Sequence, residues 1–522
     1  MNEGRVFFVI IDEANLEERS FMLRHMSYLA FLVAAALAGT FGSVAAGVAQ
    51  EVSGAKITKL IDQLGPKVDQ TVSFIRVRDG KLLYGYNPNK TLTPASVTKL
   101  VTSAAAMKLW GADHTFKTKL YYTGRKSQGT IFGDLYIKGD GDPYLVSEKL
   151  WQMASDLRNM GIREIKGSIV LDQSLFDGEK RDESRGEGRN SSRNAYDAPV
   201  SALGVNFNTF ELMVAPSQTP GSKALVSLSP YSIRSMSIKN DVQTVSSSYS
   251  SKPNVRRYSN KNGSSTLVAT GKISKDADAL KIYRSVNDPG LSSGEIIRSF
   301  LQKEDIAVYG AVKDGVVPNN ASFLYEIEGY RMGKIIHGLN NFSNNFIADV
   351  LVKRMGAAFW NKTNPDQPGS GSYENGIKVL NRFLKEEMKL GNDFYLENGS
   401  GLSTNNRISS FGLASLMSHM TEELEYFPEF LASLPASGVA GTMKKRFSSP
   451  MTKHLKGRVR AKTGTLSQPI SVSSLSGYIN HKDHGLLAFA IIQNGEKGKS
   501  QPNILDLRLS QERILVKALS AL

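Results

Sequence analysis

Three short strings, Ser96-Val97-Thr98-Lys99, Ser343-Asn344-Asn345 and Lys462-Thr463-Gly464, stand in that order along 522 residues, and a fold that uses them must gather them into one cleft. Ser96 and Lys99 are three apart, so on a helix they share a face with their side-chain ends within reach. Pro94, followed by small residues and an alanine-rich apolar stretch, predicts a helix N-terminus there. The positive end of that helix favours negative charge developing at the serine. A lysine beside a second buried cation loses basicity and can serve as a base near neutrality. Ser96 is therefore expected as a nucleophile and Lys99 as its proton acceptor, with no histidine required. Ser53 and Lys56 repeat the spacing, but they lie in a freshly processed N-terminus where no pocket is expected.

Ser343 and Asn345 precede an apolar helical run. Alternate residues on one side of a turn would both point inward, Ser343 relaying a proton to a leaving amine and Asn345 holding a substrate carbonyl. Helix capping by Ser and Asn is the competing reading. Lys462 and Thr463 on an edge strand can grip a terminal carboxylate, and Gly464 would let substrate backbone approach. The N–H of Thr465, with that of Ser96, would form an oxyanion hole. A polar turn after an exposed strand is the plainer alternative for this string.

The chain is too long for one ordinary core, and its length suggests about three domains. Its 41% hydrophobic and 22% charged content suits a packed globular body. Cysteine is absent, which excludes thiol catalysis, Cys-ligated zinc and disulfides, and fits an oxidising compartment. The net charge of +15 favours anionic partners. Yet no Lys/Arg run interleaved with aromatics occurs, so no nucleic-acid partner is expected.

Residues 22 to 50 read as an export signal. Arg24 and His25 supply a positive start, Leu29 to Leu37 a short apolar run, and Ala45 or Ala49 a cleavage point. The run is too short for a comfortable membrane span, although an uncleaved anchor is the alternative. Residues 1 to 21 are an extended n-region or lie upstream of the true start.

Further along, a helix is expected over Ile57 to Leu64, strands over Gln70 to Val77 and Leu82 to Asn87, and strand alternation over 111 to 140. Residues 144 to 205 begin with a helix and the short strand Gly167 to Leu171, then pass into the charged loop Lys180 to Asn194. Residues 206 to 330 alternate as strands, with Ser246 to Ser265 as polar hairpin tips. From 331 onward helices and strands mix. Leu486 to Gln493 reads as a buried strand, and Ile504 to Leu522 as a helix packed on the sheet; a loose membrane-surface association is its alternative.

Taken together, the trio resembles the signature of penicillin-binding proteins and class A β-lactamases, although the middle string there carries Asp where this chain has Asn344. Four further features carry a closer resemblance: Gly139-Asp140-Gly141-Asp142-Pro143, Tyr196-Asp197-Ala198-Pro199 with Asn206-Phe207-Asn208, Asn398-Gly399-Ser400-Gly401-Leu402-Ser403, and Ser433-Leu434-Pro435 followed by Gly438 and Gly441-Thr442. Over about residues 55 to 520 the chain resembles the D-alanyl-D-alanine carboxypeptidase/endopeptidase branch of the low-molecular-mass class C penicillin-binding proteins. That resemblance implies an α/β (α+β) transpeptidase/β-lactamase-like serine acyltransferase domain, interrupted by two inserted, mainly β, domains. The expected division gives the acyltransferase domain residues 50–110 and 331–522, one inserted domain 111–140 and 206–330, and the other 141–205. Residues 1–49 are the signal and its extension. The resemblance further implies cleavage of peptidoglycan stem peptides through an acyl-enzyme, β-lactams as covalent inhibitors, no cofactor or metal, and a periplasmic or otherwise exported, wall-associated location. Substrate contacts are expected at Thr463, Gly464, Thr465, Tyr196 and Thr404.

Three departures from the family pattern bear on substrate choice. Relatives that read the amino group of the third stem residue place an Asp before the Tyr/Phe-x-Ala-Pro string; here the stretch is Arg189-Asn190-Ser191-Ser192-Arg193-Asn194. Thr404 stands where an Arg commonly follows Gly-Leu-Ser, and Asn398 where Asp is usual. Weak discrimination at that side chain is the consequence. Among rival readings, Gly290-Leu291-Ser292-Ser293-Gly294 fits a nucleophile-elbow pattern, but Asp288-Pro289 already starts a helix there. The seven histidines show no paired ligand spacing. A dedicated β-lactamase would need a deacylating base and a shorter chain, and a non-catalytic wall-binding protein would have no need of Ser96, Lys99 and Lys462.

Overall fold

The computed structural model describes residues 54–185, 193–246, 252–364, 371–391 and 393–522. The expected export signal, and parts of the Lys180 to Asn194 and Ser246 to Ser265 stretches, lie outside the described residues.

Strands β1 (Val68–Arg76), β2 (Lys81–Tyr86), β3 (Val459–Leu466), β4 (Val472–His481) and β5 (Gly485–Gly495) form one antiparallel sheet in the order β2, β1, β5, β4, β3. Antiparallel sheets often leave one face to water, but β5 is an apolar run because both faces are covered. Leu487, Phe489 and Ile491 point to one side, where they meet Ile57, Ile61 and helix α5 (Ile504–Ala521) through Ile514 and Leu515. Ala488, Ala490 and Ile492 point to the other, against helices α1 (Lys99–Trp110) and α4 (Ser410–Met420). The period of two in the strand thus sends alternate side chains to the two layers. Between α1 and α4 in the chain come α2 (Met332–Asn341) and α3 (Asn345–Thr363), which complete the second layer.

The segment from Thr115 to Arg331 loops out of this unit and divides differently from the expected boundaries. Strands Val312–Asp314, Ile169–Asp172, Leu135–Lys138, Thr115–Tyr122 and Ser322–Arg331 lie side by side in that order in one sheet. Residues 141–205 are therefore not a domain of their own: they supply a central strand and the helix Ser147–Asn159. The physical reason is a parallel pairing. Leu135–Lys138 and Ile169–Asp172 run parallel, and a parallel pair needs a crossover of a dozen or more residues, usually helical. That crossover is what the composition change near 141 marks. This part of the insertion is mixed α/β, and Pro289–Lys303 adds a second helix to it. The remainder, Thr209 to Ser285, is all β and consists of two three-stranded sheets. Within it Asn254–Ser259 is a strand, so the polar stretch is only partly a hairpin tip. Leu120, Ile137, Leu212 and Leu267 belong to one apolar cluster, so the whole insertion shares a core.

Candidate active site

Pro94 is followed by a 3₁₀ turn, Ala95–Thr98, and only then by α1 from Lys99. The sequence pattern predicts one helix through Ser96, and the turn replaces its first residues. Ala95 has φ +49°, and the Thr98 hydroxyl donates to the Ala95 carbonyl at 2.8 Å, which tightens the turn. The tighter winding matters chemically. Residues i and i+3 eclipse in a 3₁₀ turn, whereas an α-helix leaves them about 60° apart. Ser96 is half-buried in this turn, and Lys99 Nζ lies 3.1 Å from its Oγ.

Lys99 has no exposed surface. Besides Ser96, its Nζ donates to Asn345 Oδ1 at 2.7 Å and to the Ser400 carbonyl. Asn345 is the first residue of α3, and its Nδ2 donates to the Tyr196 carbonyl at 2.8 Å, which fixes the amide orientation. The second N–H of that amide is the one an incoming carbonyl would use. Capping falls to neither Ser343 nor Asn345: Asn344 accepts from Ile347 N at 3.2 Å and closes the helix. Ser343 has φ +58°, uncommon for a residue with a side chain, and its hydroxyl accepts from Lys462 Nζ at 2.8 Å.

Lys462 sits on β3, fully buried, and also donates to its neighbour's carbonyl at Thr463, 2.7 Å away. Burial first, and the charge of Lys99 second, hold its amine well below the ordinary lysine range. Ser343 and the strand backbone surround the Lys462 amine. The Thr463 hydroxyl, paired with Thr442 Oγ1 at 2.7 Å, is the more exposed group. β3 is the outer strand of the sheet. Residues 435–437 pair with it as far as Ala461, through Ala461 N to Pro435 O and Ser437 N to Val459 O, and this cover ends where Lys462-Thr463-Gly464-Thr465 begins. An uncovered edge of this kind is where an extended peptide adds as a strand.

Gly464 also has a packing purpose. A Cβ there would meet the Pro94 carbonyl at 2.5 Å and the Ser474 hydroxyl, so the glycine lets β3 press against the Ser96 turn. The Thr465 hydroxyl accepts from Arg508 at 3.2 Å. Tyr196 contributes its backbone carbonyl to the site, while its ring is exposed. Thr404 is placed beside Thr93 and Arg407, which donate to its carbonyl at 2.9 and 2.6 Å, and it lines a cavity of about 350 Å³ with Arg407, Lys90 and Lys497. Its contacts do not join it to the Lys99 cluster. Ser292 is buried in the first turn of its helix, behind the Asp288 cap, as the Asp-Pro signal predicts.

The Ser400 carbonyl has no counterpart among the expected site residues. Asn398 Oδ1 accepts from Gly401 N at 2.9 Å, and Asn406 binds the Asn398 backbone and side chain, so this loop is tied into one conformation. Gly401, at φ +78°, leaves no room for a Cβ against the Ala95 carbonyl. The two glycines flanking Ser400 were the signal in the sequence.

The profile of the D-Ala-D-Ala carboxypeptidase 3 (S13) family matches residues 54–510. A D-alanyl-D-alanine carboxypeptidase of Actinomadura sp. (strain R39) is 30% identical over 484 residues, 87% of this chain and 85% of that protein. D-alanyl-D-alanine carboxypeptidase DacB of Haemophilus influenzae is 23% identical over 433 residues, 81% of this chain and 85% of its own length. Among solved structures, penicillin binding protein 4 (dacB) from Haemophilus influenzae has a TM-score of 0.71 at 22% identity, over 89% of this chain and 99% of that one.

Proposed function

Because this chain belongs to the D-Ala-D-Ala carboxypeptidase 3 (S13) family, we propose that its acyl group is carried by Ser96 and its proton is taken by Lys99. The chain is a penicillin-binding serine peptidase of peptidoglycan, with the transpeptidase/β-lactamase-like fold, and β-lactams are its covalent inhibitors. Work on that polymer places it outside the cytoplasm. Among the described residues no helix is long and apolar enough to cross a membrane. An N-terminal signal over residues 22 to 50 is the proposed means of export.

One observation carries the assignment. The Asn345 amide oxygen and the Ser400 carbonyl can only accept, so each holds one N–H of Lys99. In its neutral form Lys99 would have two N–H groups and one lone pair, and with both N–H groups held by these acceptors the lone pair would face Ser96 Oγ, 3.1 Å away. Attack then follows in order. Oγ bonds to the carbonyl carbon of the penultimate D-Ala as its proton passes to Lys99 Nζ, and the N–H groups of Ser96 and Thr465 receive the oxyanion. The C–N bond breaks, and the leaving amine takes a proton from Ser343, which is resupplied from Lys462. Thr463 receives the terminal carboxylate. Before deacylation Lys99 hands its proton on to the Ser343–Lys462 pair, which restores both amines; Lys99 then takes a proton from the water that attacks the acyl carbon, and returns it to Ser96 Oγ as the ester C–O bond breaks. Mass spectrometry of protein treated with penicillin should place the adduct on the peptide containing Ser96. Ser96→Ala should take no label and Ser292→Ala full label; label retained in Ser96→Ala would refute the assignment.

Without an Asp in the Arg189 to Asn194 stretch and with Thr404 in place of Arg, the chain should discriminate weakly between free and acetylated amines at the third stem residue. Comparing D-Ala release from the two peptides tests this; a preference for the free amine above roughly tenfold would count against it.

A further inference from the structure

Outside the Ser96 cleft, a cavity of about 500 Å³ opens where the two parts of the insertion meet α2, within the size of ordinary small-ligand sites, roughly 300–1,000 Å³. Four aromatic rings line it: Tyr144, Phe207, Tyr283 and Tyr330. Tyr144 packs edge-on against Phe207 at 5.1 Å and Tyr330 at 5.6 Å, while Tyr283 is 47% exposed. Hydrogen-bonding groups line it as well, the carboxylates of Glu148 and Glu211 and the side chains of Ser147 and Asn206.

The backbone has been bent to make this wall. Asn206, Phe207 and Asn208 stand in succession at φ +51°, +60° and +49°, a conformation that side-chain-bearing residues rarely share in a row. Hydrogen bonds hold it: Asn206 Oδ1 accepts from Ser147 N at 3.0 Å, and Asn208 Nδ2 donates to the Pro199 carbonyl at 2.9 Å. The result aims the Phe207 ring between Tyr144 and Phe346, the residue after Asn345, at 6.3 Å from the latter. Tyr144 in turn lies on Gly338 of α2, where a Cβ would meet its ring at 2.6 Å, and α2 leads directly into Ser343. The cavity is thus built rigidly onto the two helices that deliver Ser343 and Asn345.

We propose that this cavity binds the glycan strand of peptidoglycan, a β-linked N-acetylhexosamine chain. The proposal rests on the peptidase reading for the identity of the polymer. A pyranose ring is apolar on its C–H faces and hydroxylated on its edge. Aromatic side chains with polar partners at their rims match that division, and hydrogen bonds from sugar hydroxyls to carboxylates are charge-assisted. Glu211 is already oriented for this, accepting from Tyr283 Oη at 2.6 Å and pairing with Lys281 at 3.2 Å. The strand would be held beside the cleft while its stem peptide enters along β3.

The test uses the full chain and a β-1,4-linked tetramer of N-acetylglucosamine, with binding followed by calorimetry, and D-Ala release measured from intact sacculi and from a soluble D-Ala-D-Ala peptide. Tyr283→Ala and Glu211→Gln should each weaken tetramer binding by roughly fivefold or more and slow release from sacculi in proportion. Penicillin acylation and soluble-peptide hydrolysis should be unchanged in both, which also certifies their folding. The proposal is overturned if wild type does not bind the tetramer, if both variants bind it like wild type, or if a free stem peptide displaces it. Loss of soluble-peptide hydrolysis in wild type would instead strike the peptidase reading, since tetramer binding is read separately.

Discussion

Lys462 has no exposed surface, and burial together with the Lys99 charge lowers its proton affinity in the folded state. The unfolded chain holds that proton up to about pH 10.4, the ordinary lysine value. Across the window between the lowered pKa and the ordinary one, the unfolded state binds more protons, so this group makes stability rise with pH. Below the window its cost is full, and above it the cost vanishes. Lys462→Met removes the titration. Urea unfolding from neutral pH to about pH 10 should therefore show a flatter stability profile in the variant, its relative advantage greatest at low pH and shrinking as pH rises. Acylation by penicillin should fall roughly tenfold or more, because the proton supply to Ser343 and the positive field are lost. A parallel stability profile in the two proteins would show that Lys462 keeps an ordinary affinity.

At the scale of elements, the start of α3 separates two jobs that lie one residue apart. Asn344 turns its side chain to the helix backbone, and Asn345 turns its own to Lys99 and Tyr196. Asn344→Ala should cost about 1 kcal/mol of stability, the usual value of an N-cap, with acylation nearly intact. Asn345→Ala should leave the cap in place but free one N–H of Lys99, and acylation should drop by roughly two orders of magnitude. Thermal melts and acylation rates on the pair check this; a reversal of the two phenotypes would contradict the placement. Ser343 owes its position to the same junction, since its φ of +58° is what turns the hydroxyl toward Lys462. The 3₁₀ turn before α1 is a second such device. It stacks Ser96 on Lys99 and is held by two glycines, Gly464 and Gly401, that other elements bring against Pro94 and Ala95.

Over the whole molecule, the insertion is fastened to the catalytic unit by cations of α3. Lys353, 1% exposed, pairs with Asp177 and donates to the Glu179 carbonyl at 2.6 Å, and burial lowers its proton affinity. Arg354 next to it pairs with Asp140 at 3.1 Å and donates to the same residue's carbonyl at 3.0 Å. The Gly-Asp-Gly-Asp-Pro turn and the segment after Asp172 are thus clamped to the helix that begins with Asn345. Asp177→Asn would leave Lys353 buried without its counter-charge, at a cost of about 3 kcal/mol, the lower end of the usual range because Asp177 is 30% exposed. Chemical denaturation should read that loss, and double substitution with Lys353→Met should recover most of it. Failure of the second change to rescue the first would assign the cost to another contact.

The reactive groups were legible from the chain because their chemistry restricts residue type and spacing: a serine three before a lysine, a glycine after a lysine and a threonine, a proline at a helix start. The buried strand β5 and the amphipathic helix α5 were legible for the same local reason, a period of two or of helical spacing. What local pattern could not carry was any feature set by a partner distant in sequence. The parallel pairing that joins 135–138 to 169–172 and 312–314 depends on a crossover packing back onto its own sheet. The roles of Ser400, Gly464 and the Tyr196 carbonyl depend on which backbone atoms arrive beside Ala95, Ser96 and Lys99. Side-chain chemistry is written residue by residue, so the sequence determined the reaction class and the residues proposed as nucleophile and base. Backbone carbonyls carry no residue signature and hydrogen-bond only where the chain's path puts them, so tertiary structure alone decided how Lys99 is oriented and how the insertion is built.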